Sequence, residues 1–494
     1  MDDGSYERLS GLDQSFLHFE TASCYMHVAL TAVFETGSLA KRGGGIDIKR
    51  IRHHIASRLP LLPRYRQRLA YVPLTSDPVW VDDDHFDLDY HVRHTNLPHP
   101  GGTRQLQTLC ARILERPLDR GRPLWETWFI EGLQGGRFAM LSKVHHCMVD
   151  GIGGVDLLAA LLALTPFDQE GRADRWWPRA APTGGRLLRD DVMRRVRGSM
   201  RAVRQVRGLL GSGSLGQADV GERMSALWRL AWRGVAGTAE TPLNKPIGPH
   251  RRVDWLRFEL AAVKAVKRRL GGTINDVVLA TVAGAVRTFL LKRSFDVSGI
   301  DFRTIVPVNM RSENEQGIPG NRVSVWMTSL PIGEPEPLCR YERIREVTAR
   351  HKAAREAGGA EVLTQTADWT TSLVLGLAVR LLNRSRAFNL IVTNVPGPPV
   401  PLYLLDAPMV AAYPHVPLFE NQGLGIALFS YAEHLYWGLV GDWDVVPDIH
   451  YFADCLNLAF AELCAAAKVD PDSASPERRP ALHRVRARDA HQVA

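Results

Sequence analysis

A chain of 494 residues is too long for one small core and is expected to divide into two domains of roughly 180 to 240 residues. With 45% hydrophobic and 23% charged residues it has the composition of an ordinary globular protein, which argues against a disordered or fibrous chain. Six scattered cysteines without a Cys-x-x-Cys pair argue against a disulfide framework and fit a reducing cytoplasm, and no nucleic-acid-binding motif accompanies the net charge of +8.

The N-terminal Met1-Asp2-Asp3-Gly4 is acidic and polar, unlike a secretory or transit peptide. Residues 1–181 then alternate strand-like runs with amphipathic helices, the pattern of an α/β domain. Strands are predicted at Val28–Phe34, Pro78–Val81 and Thr127–Glu131, and helices around Ile48–Ser57 and Arg104–Glu115. No uninterrupted apolar run reaches the length of about 18 residues that spans a bilayer, so any membrane contact is peripheral.

The most informative stretch comes next. Phe138–Val144 reads as a strand, and Val155, Leu157, Leu158, Leu161 and Leu162 read as one face of a helix. Between them lies His145-His146-Cys147-Met148-Val149-Asp150-Gly151, two histidines on a strand-to-helix turn. Such a turn can present an imidazole to a cavity while Asp150 folds back to hold the loop and Gly151 supplies the backbone reversal. Imidazole, with an unperturbed pKa near 6.5, is largely neutral and basic at cytosolic pH. Structural use and metal binding compete with base catalysis. The metal reading is the weaker, because Gly151, Gly153 and Gly154 disfavour the continuous helix that would align His146 with Asp150, and no second cluster supplies further ligands. No Gly-x-Ser-x-Gly elbow supports a serine nucleophile.

Residues 182–241 form a Gly-, Ser- and Arg-rich connector. Within it, eight arginines between Arg186 and Arg207 face only Asp190 and Asp191, while Leu188, Val192, Val196, Met200, Val203 and Leu210 recur at helical spacing. This basic amphipathic helix either links two domains through solvent or attaches to an anionic lipid surface. Residues 242–471 make a second α/β half, with strands at Val253–Leu260 and Thr304–Asn309, helices at Ala261–Leu270 and Asn275–Leu291, and a hairpin of Gly423–Tyr431 and Leu435–Gly441. His250, Arg251 and Arg252 stand beside a strand start, where they read as ordinary surface residues, with contact to the phosphates of a ligand as the alternative. The tail, 472–494, lacks periodicity and is expected to be disordered.

Several separated signatures run through the chain in order: Leu12-Asp13 with Phe16-Leu17, Met26-His27-Val28, Pro123-Leu124-Trp125, the His145-His146 and Asp150-Gly151 pair, and Leu243-Asn244 with Pro246-Ile247-Gly248. Asn275-Asp276-Val277-Val278-Leu279-Ala280, Val306-Pro307-Val308-Asn309, Gly320-Asn321-Arg322 and Asn394-Val395-Pro396-Gly397-Pro398 complete the set. On these the chain resembles the bacterial wax ester synthase/diacylglycerol acyltransferase family over nearly its whole length. The His-His-Asp-Gly pattern by itself is shared with peptide-synthetase condensation domains and other relatives of chloramphenicol acetyltransferase. Lys245 stands where a small residue such as Gly is expected in many relatives, a departure that touches the connector's surface and not the chemistry.

The resemblance implies two chloramphenicol-acetyltransferase-like α/β domains with an active-site channel between them. It implies transfer of a long-chain acyl group from acyl-CoA, a substrate and not a cofactor, to diacylglycerol or a long-chain alcohol. His146 would take the proton from the acceptor hydroxyl and return it to the CoA thiolate, without an acyl-enzyme. Asp150 would anchor the loop, Gly151 would serve the turn, and His145 would bond the backbone, shape the tunnel or tune its neighbour. For substrate binding, Asn275 is a candidate donor near the reacting oxygen. Asn275 and Asp276 also suit a helix cap, and Trp125 either lines the acyl channel or fills the core. No metal is implied, nor any nucleic-acid partner. The protein is expected in the cytoplasm, or peripherally at the inner membrane face or on lipid droplets. The alternatives are a condensation-type transferase acting on carrier-bound thioesters and a catalytically idle lipid-surface protein of the same fold.

Overall fold

The computed structural model describes residues 5–148, 156–166, 176–196, 238–309, 323–356 and 387–471. Three sheets organise them. The first half is built on seven strands in the order Val92–Asn96, Trp125–Leu133, Arg137–His145, His27–Glu35, Ala407–His415, Tyr403–Leu404 and Leu162–Ala163. The second half has six, in the order Val323–Leu330, Phe302–Asn309, Leu390–Pro396, Leu424–Tyr431, His434–Asp442 and Arg251–Glu259. A small sheet of Tyr6–Arg8, Pro78–Asp82 and Gln67–Tyr71 stands beside the first.

Most strands and helices read from periodicity are present, because their signals are local. His27–Glu35 is buried along almost its whole length, so it appears in sequence as a continuous apolar run, the mark of a strand covered on both faces. The Thr103–Leu114 helix buries Leu106, Cys110, Ile113 and Leu114 as one stripe, and Gln105 closes its first turn through the Gly102 amide at 2.8 Å. The Ile274–Lys292 helix is long and apolar enough to cross a membrane, yet 72% of its apolar window is buried inside the protein. It is the core helix of the second half, packed against Ile449–Ala467, Pro337–Glu356 and Leu260–Leu270.

Two features depart from a simple division into consecutive halves. Ala407–His415 and Tyr403–Leu404, far along the chain, pair in the first half's sheet, with Ala407–His415 antiparallel to His27–Glu35. This crossing strand returns directly over the second half's sheet: a Cβ on Gly438 would lie 1.6 Å from the Pro414 carbonyl oxygen, so only glycine admits it. Trp255 of the second half stacks on Tyr413 at 4.7 Å, and Thr31 Oγ1 lies 2.8 Å from His415 Nε2.

The second feature concerns the basic segment. Residues 184–196 are helical and dock on the small sheet through Leu187 and the fully buried Asp191. Asp191 pairs with Arg8 at 2.9 Å, Arg194 at 2.8 Å and Arg195 at 2.6 Å, and Asp77 takes Arg195 at 2.6 Å. Val192 and Val196, two members of the apolar stripe, are exposed together with Met193. The buried carboxylate sets which face turns inward, because a charged Asp191 inside the fold is stable only with its guanidinium partners around it. The remainder of the basic stretch, the Gly320-Asn321-Arg322 signature and the tail from 472 lie outside the described residues.

Candidate active site

The Arg137–His145 strand ends at the two histidines, and His146–Met148 forms a single 3-10 turn beyond it. Backbone bonds fix this end from both sides: the His145 amide donates to Leu124 O at 2.9 Å and the His146 amide to Met26 O at 2.7 Å. Leu124 and Met26 belong to two of the sequence signatures, so these segments brace the histidine turn. Phe16, from a third, stacks on the His146 ring with centroids 3.9 Å apart. It is carried by the Gly11–Phe19 helix, which the Ser10 hydroxyl caps by accepting from the Asp13 amide at 3.1 Å. Phe16 and Met26 come to the histidines through the fold, not through nearness in sequence.

His145 and His146 have different surroundings. His145 is buried, its Nδ1 accepts the Cys147 amide at 3.1 Å, and its Nε2 lies 3.1 Å from Glu20 Oε1. With Nδ1 occupied as acceptor, the ring proton sits on Nε2, facing the carboxylate. Glu20 also accepts from the Met26 amide at 2.9 Å and from Arg120 at 2.7 Å. Burial alone would raise the Glu20 pKa, but His145 and Arg120 together hold it down to about 2. Glu20 is therefore a hub, an anion that fixes His145 and, through the Cys147 amide, the turn on which His146 stands. Sequence reasoning missed it, since an acidic residue so far along the chain from its partner carries no local signal.

His146 has no carboxylate partner among the described residues. Its ring is partly exposed, while Nδ1 is buried without a hydrogen-bond partner among the described residues. Burial pushes its pKa down to about 4, its own carbonyl offsets part of that, and a nearby His145 adds to the depression. The imidazole is thus neutral, and available to accept a proton, over the whole physiological range. His27, paired with His145 across the strands, is buried and bonds Leu114 O at 2.7 Å, and burial depresses its pKa strongly. Lys143, two residues before His145, is fully buried and donates to Ile113 O at 3.1 Å and Arg116 O at 3.0 Å, a cation at the C-terminal end of the Thr103–Leu114 helix.

The other candidates lie as follows. Asp150 and Gly151 are outside the described residues. Trp125 is fully buried in the first half's core, donates to Tyr65 O at 2.8 Å and stacks on His91 at 4.6 Å. Asp276 completes a capping box with Thr273, accepting from its amide at 2.6 Å and from its hydroxyl at 2.9 Å, and takes Thr348 Oγ1 at 2.7 Å. Asn275 Oδ1 accepts from Asn394 Nδ2 at 2.8 Å, which brings two distant signatures together on the second half. Arg251 is not a surface residue: it is buried and donates to Gly248 O at 2.6 Å, His250 O at 3.0 Å and Ser23 O, tying the two halves. Among the described residues, no group of three or more His, Cys, Asp or Glu is placed to hold a metal.

Comparison with known proteins places this arrangement. The profile of the wax ester synthase/diacylglycerol acyltransferase catalytic domain matches residues 9–278, and that of the WS/DGAT C-terminal domain matches residues 319–464. A Mycobacterium tuberculosis protein named as a diacylglycerol O-acyltransferase is 34% identical over 95% of this chain and 92% of its own. A second from that organism is 34% identical over 93% of this chain and 96% of its own. The solved wax ester synthase/diacylglycerol acyltransferase of Marinobacter aquaeolei VT8 superposes with a TM-score of 0.68 at 25% identity, covering 94% of this chain and 100% of that one. The starter condensation domain of rhizomide synthetase shares the fold, with a TM-score of 0.55 at 12% identity over 94% of this chain and 95% of its own.

Proposed function

This chain belongs to the wax ester synthase/diacylglycerol acyltransferase family, and from that premise we propose that it transfers a long-chain acyl group from acyl-CoA to the hydroxyl of diacylglycerol, forming triacylglycerol. Long-chain alcohols are further acceptors and give wax esters. The observation that carries this reading is His146, a neutral imidazole braced by three separate segments at the end of a central strand. A tautomer with its proton on the buried Nδ1 leaves the Nε2 lone pair for chemistry. The acceptor hydroxyl gives its proton to Nε2 as its oxygen attacks the thioester carbonyl carbon. The C–S bond then breaks, and the CoA thiolate takes the proton back from the imidazolium.

An imidazole with a pKa of about 4 is a weak base at rest. Its strength returns as negative charge develops beside it on the carbonyl oxygen and then on sulfur, which stabilises the imidazolium at the moment it forms. Binding both substrates in one site removes the entropic cost of a bimolecular encounter, so no covalent intermediate is needed. Glu20 positions His145, and Asp150 anchors the loop. Acyl-CoA is a substrate, and the mechanism uses no cofactor. A condensation-type reaction on a carrier domain is not favoured, since both family profiles and the relatives in the mycobacteria point to lipid acyl transfer.

The proposal includes peripheral contact with an anionic membrane or lipid-droplet surface, supported by the exposed Val192, Met193 and Val196 and by Leu74 on the neighbouring turn. Incubating purified protein with radiolabelled palmitoyl-CoA and either diacylglycerol or hexadecanol tests the activity. Labelled triacylglycerol or wax ester is the expected product, and neither ester would overturn the reading. His146→Ala should lower kcat by about 10² to 10⁴; a fully active variant removes His146 as the base.

A further inference from the structure

A cavity of about 550 Å³ opens at the seam between the two halves. The Thr103–Leu114 helix forms one wall through Arg104 and Arg112, and His250, Arg252, Trp443 and His450 form the other. Four arginines line it against one carboxylate, Glu115. That carboxylate is already engaged, by His250 Nδ1 at 3.2 Å and by the Arg251 amide at 3.4 Å. Arg251 is committed to backbone carbonyls and to Asp442, 3.7 Å away. Arg104, Arg112 and Arg252 make no ion pair among the described residues, and Arg252 lies against the half-exposed Trp443 ring, 3.7 Å from its centroid.

Three guanidinium groups without ion-pair partners among the described residues make the concavity positive, and planar guanidinium groups suit phosphate oxygens. The Arg252–Trp443 pair adds a flat, polarizable surface of the kind on which a nucleobase stacks. The volume lies within the ordinary range for a small-ligand pocket. Arg251 also lines a separate small cleft with Tyr25, His27 and His415, and the strand of His27 pairs with that of His145, so the cavity lies on the same seam as the histidine turn.

We infer that this cavity holds the phosphorylated nucleotide end of acyl-CoA, with Arg104, Arg112 and Arg252 as the phosphate contacts and Trp443 beside the base. The inference rests on the acyl-CoA reading above. It also takes up, for Arg252, the phosphate-contact alternative that the sequence offered beside an ordinary surface role.

The test compares two donors on the full-length protein carrying Arg104→Gln, Arg112→Gln and Arg252→Gln together. Loss of charge-assisted bonds should raise KM for palmitoyl-CoA at least about 10-fold. The kcat should stay within about twofold, as for removal of uniform binding. Palmitoyl-pantetheine, which lacks the nucleotide and its phosphates, should be used as before. Equal losses with both donors, or no loss with either, would overturn the site. Titration calorimetry with adenosine 3′,5′-bisphosphate reads the site without turnover: binding to the unmutated protein and its loss in the variant support the assignment, and equal binding by both sinks it. Failure of the unmutated protein to make any ester, with nucleotide binding intact, would strike the proposed function and leave the site standing.

Discussion

His146 acquires its state from burial, with no carboxylate partner among the described residues, which has a direct consequence for the pH profile. Burial disfavours the charged ring, so the folded pKa falls from 6.5 to about 4. The protonated form cannot accept a proton, and activity is therefore lost as pH falls through about 4, not through 6.5. We expect kcat/KM to stay flat from about pH 8 to pH 6, measured by initial rates in buffers of constant ionic strength. An acidic limb centred near 6.5 would show that the base titrates like a solvent-exposed imidazole. Glu20, held at about 2, stays ionised throughout this range and keeps His145 fixed. Of these three residues the sequence made two visible, since adjacent histidines before a turn form a local pattern. Glu20 shows its role only once the Gly11–Phe19 helix is folded against the turn.

Strands and helices were legible where their periodicity is intrinsic and obscure where their partners are remote. The Ile274–Lys292 helix announces itself by a Thr273 cap, an Asp276 at the third position and a long apolar run. Ala407–His415 does the opposite: Pro408 and Pro414 near its two ends read as breakers, and its pairing partner His27–Glu35 belongs to the other half. Its passage over Gly438 is correspondingly intolerant. Gly438→Ala would drive a methyl into the Pro414 backbone, which cannot rotate away as a side chain could. A loss of at least about 3 kcal/mol in urea unfolding, or failure to accumulate soluble protein, is the expected result. A variant as stable as the parent would mean that the two sheets do not cross at that point.

Across the whole molecule, sequence reading recovered two α/β halves but not how they are joined, because chain order says nothing about exchange of strands between them. The basic segment illustrates the same limit. Its apolar and arginine positions were evident, but the buried Asp191 decides which face turns inward, leaving Val192, Met193 and Val196 outside. If that face meets lipid, replacing Val192 and Met193 by Glu should lower co-flotation with phosphatidylglycerol vesicles at least about 10-fold, given that burying one such side chain contributes about 1.5–3 kcal/mol. Equal flotation of parent and variant would exclude the face as an attachment surface.

The crossing strand also constrains how the protein is made. Thr31 and His415 touch across 384 residues of chain. Until Ala407–His415 has left the ribosome, the His27–Glu35 strand carrying Thr31 has an open hydrogen-bonding edge, although its other neighbour, Arg137–His145, is complete far earlier. An open edge is a template for pairing with other chains, and domains made first ordinarily fold first. Here the first-made half must wait until residue 415 has been made, with the strand that ends at the two histidines already formed and its neighbour unpaired.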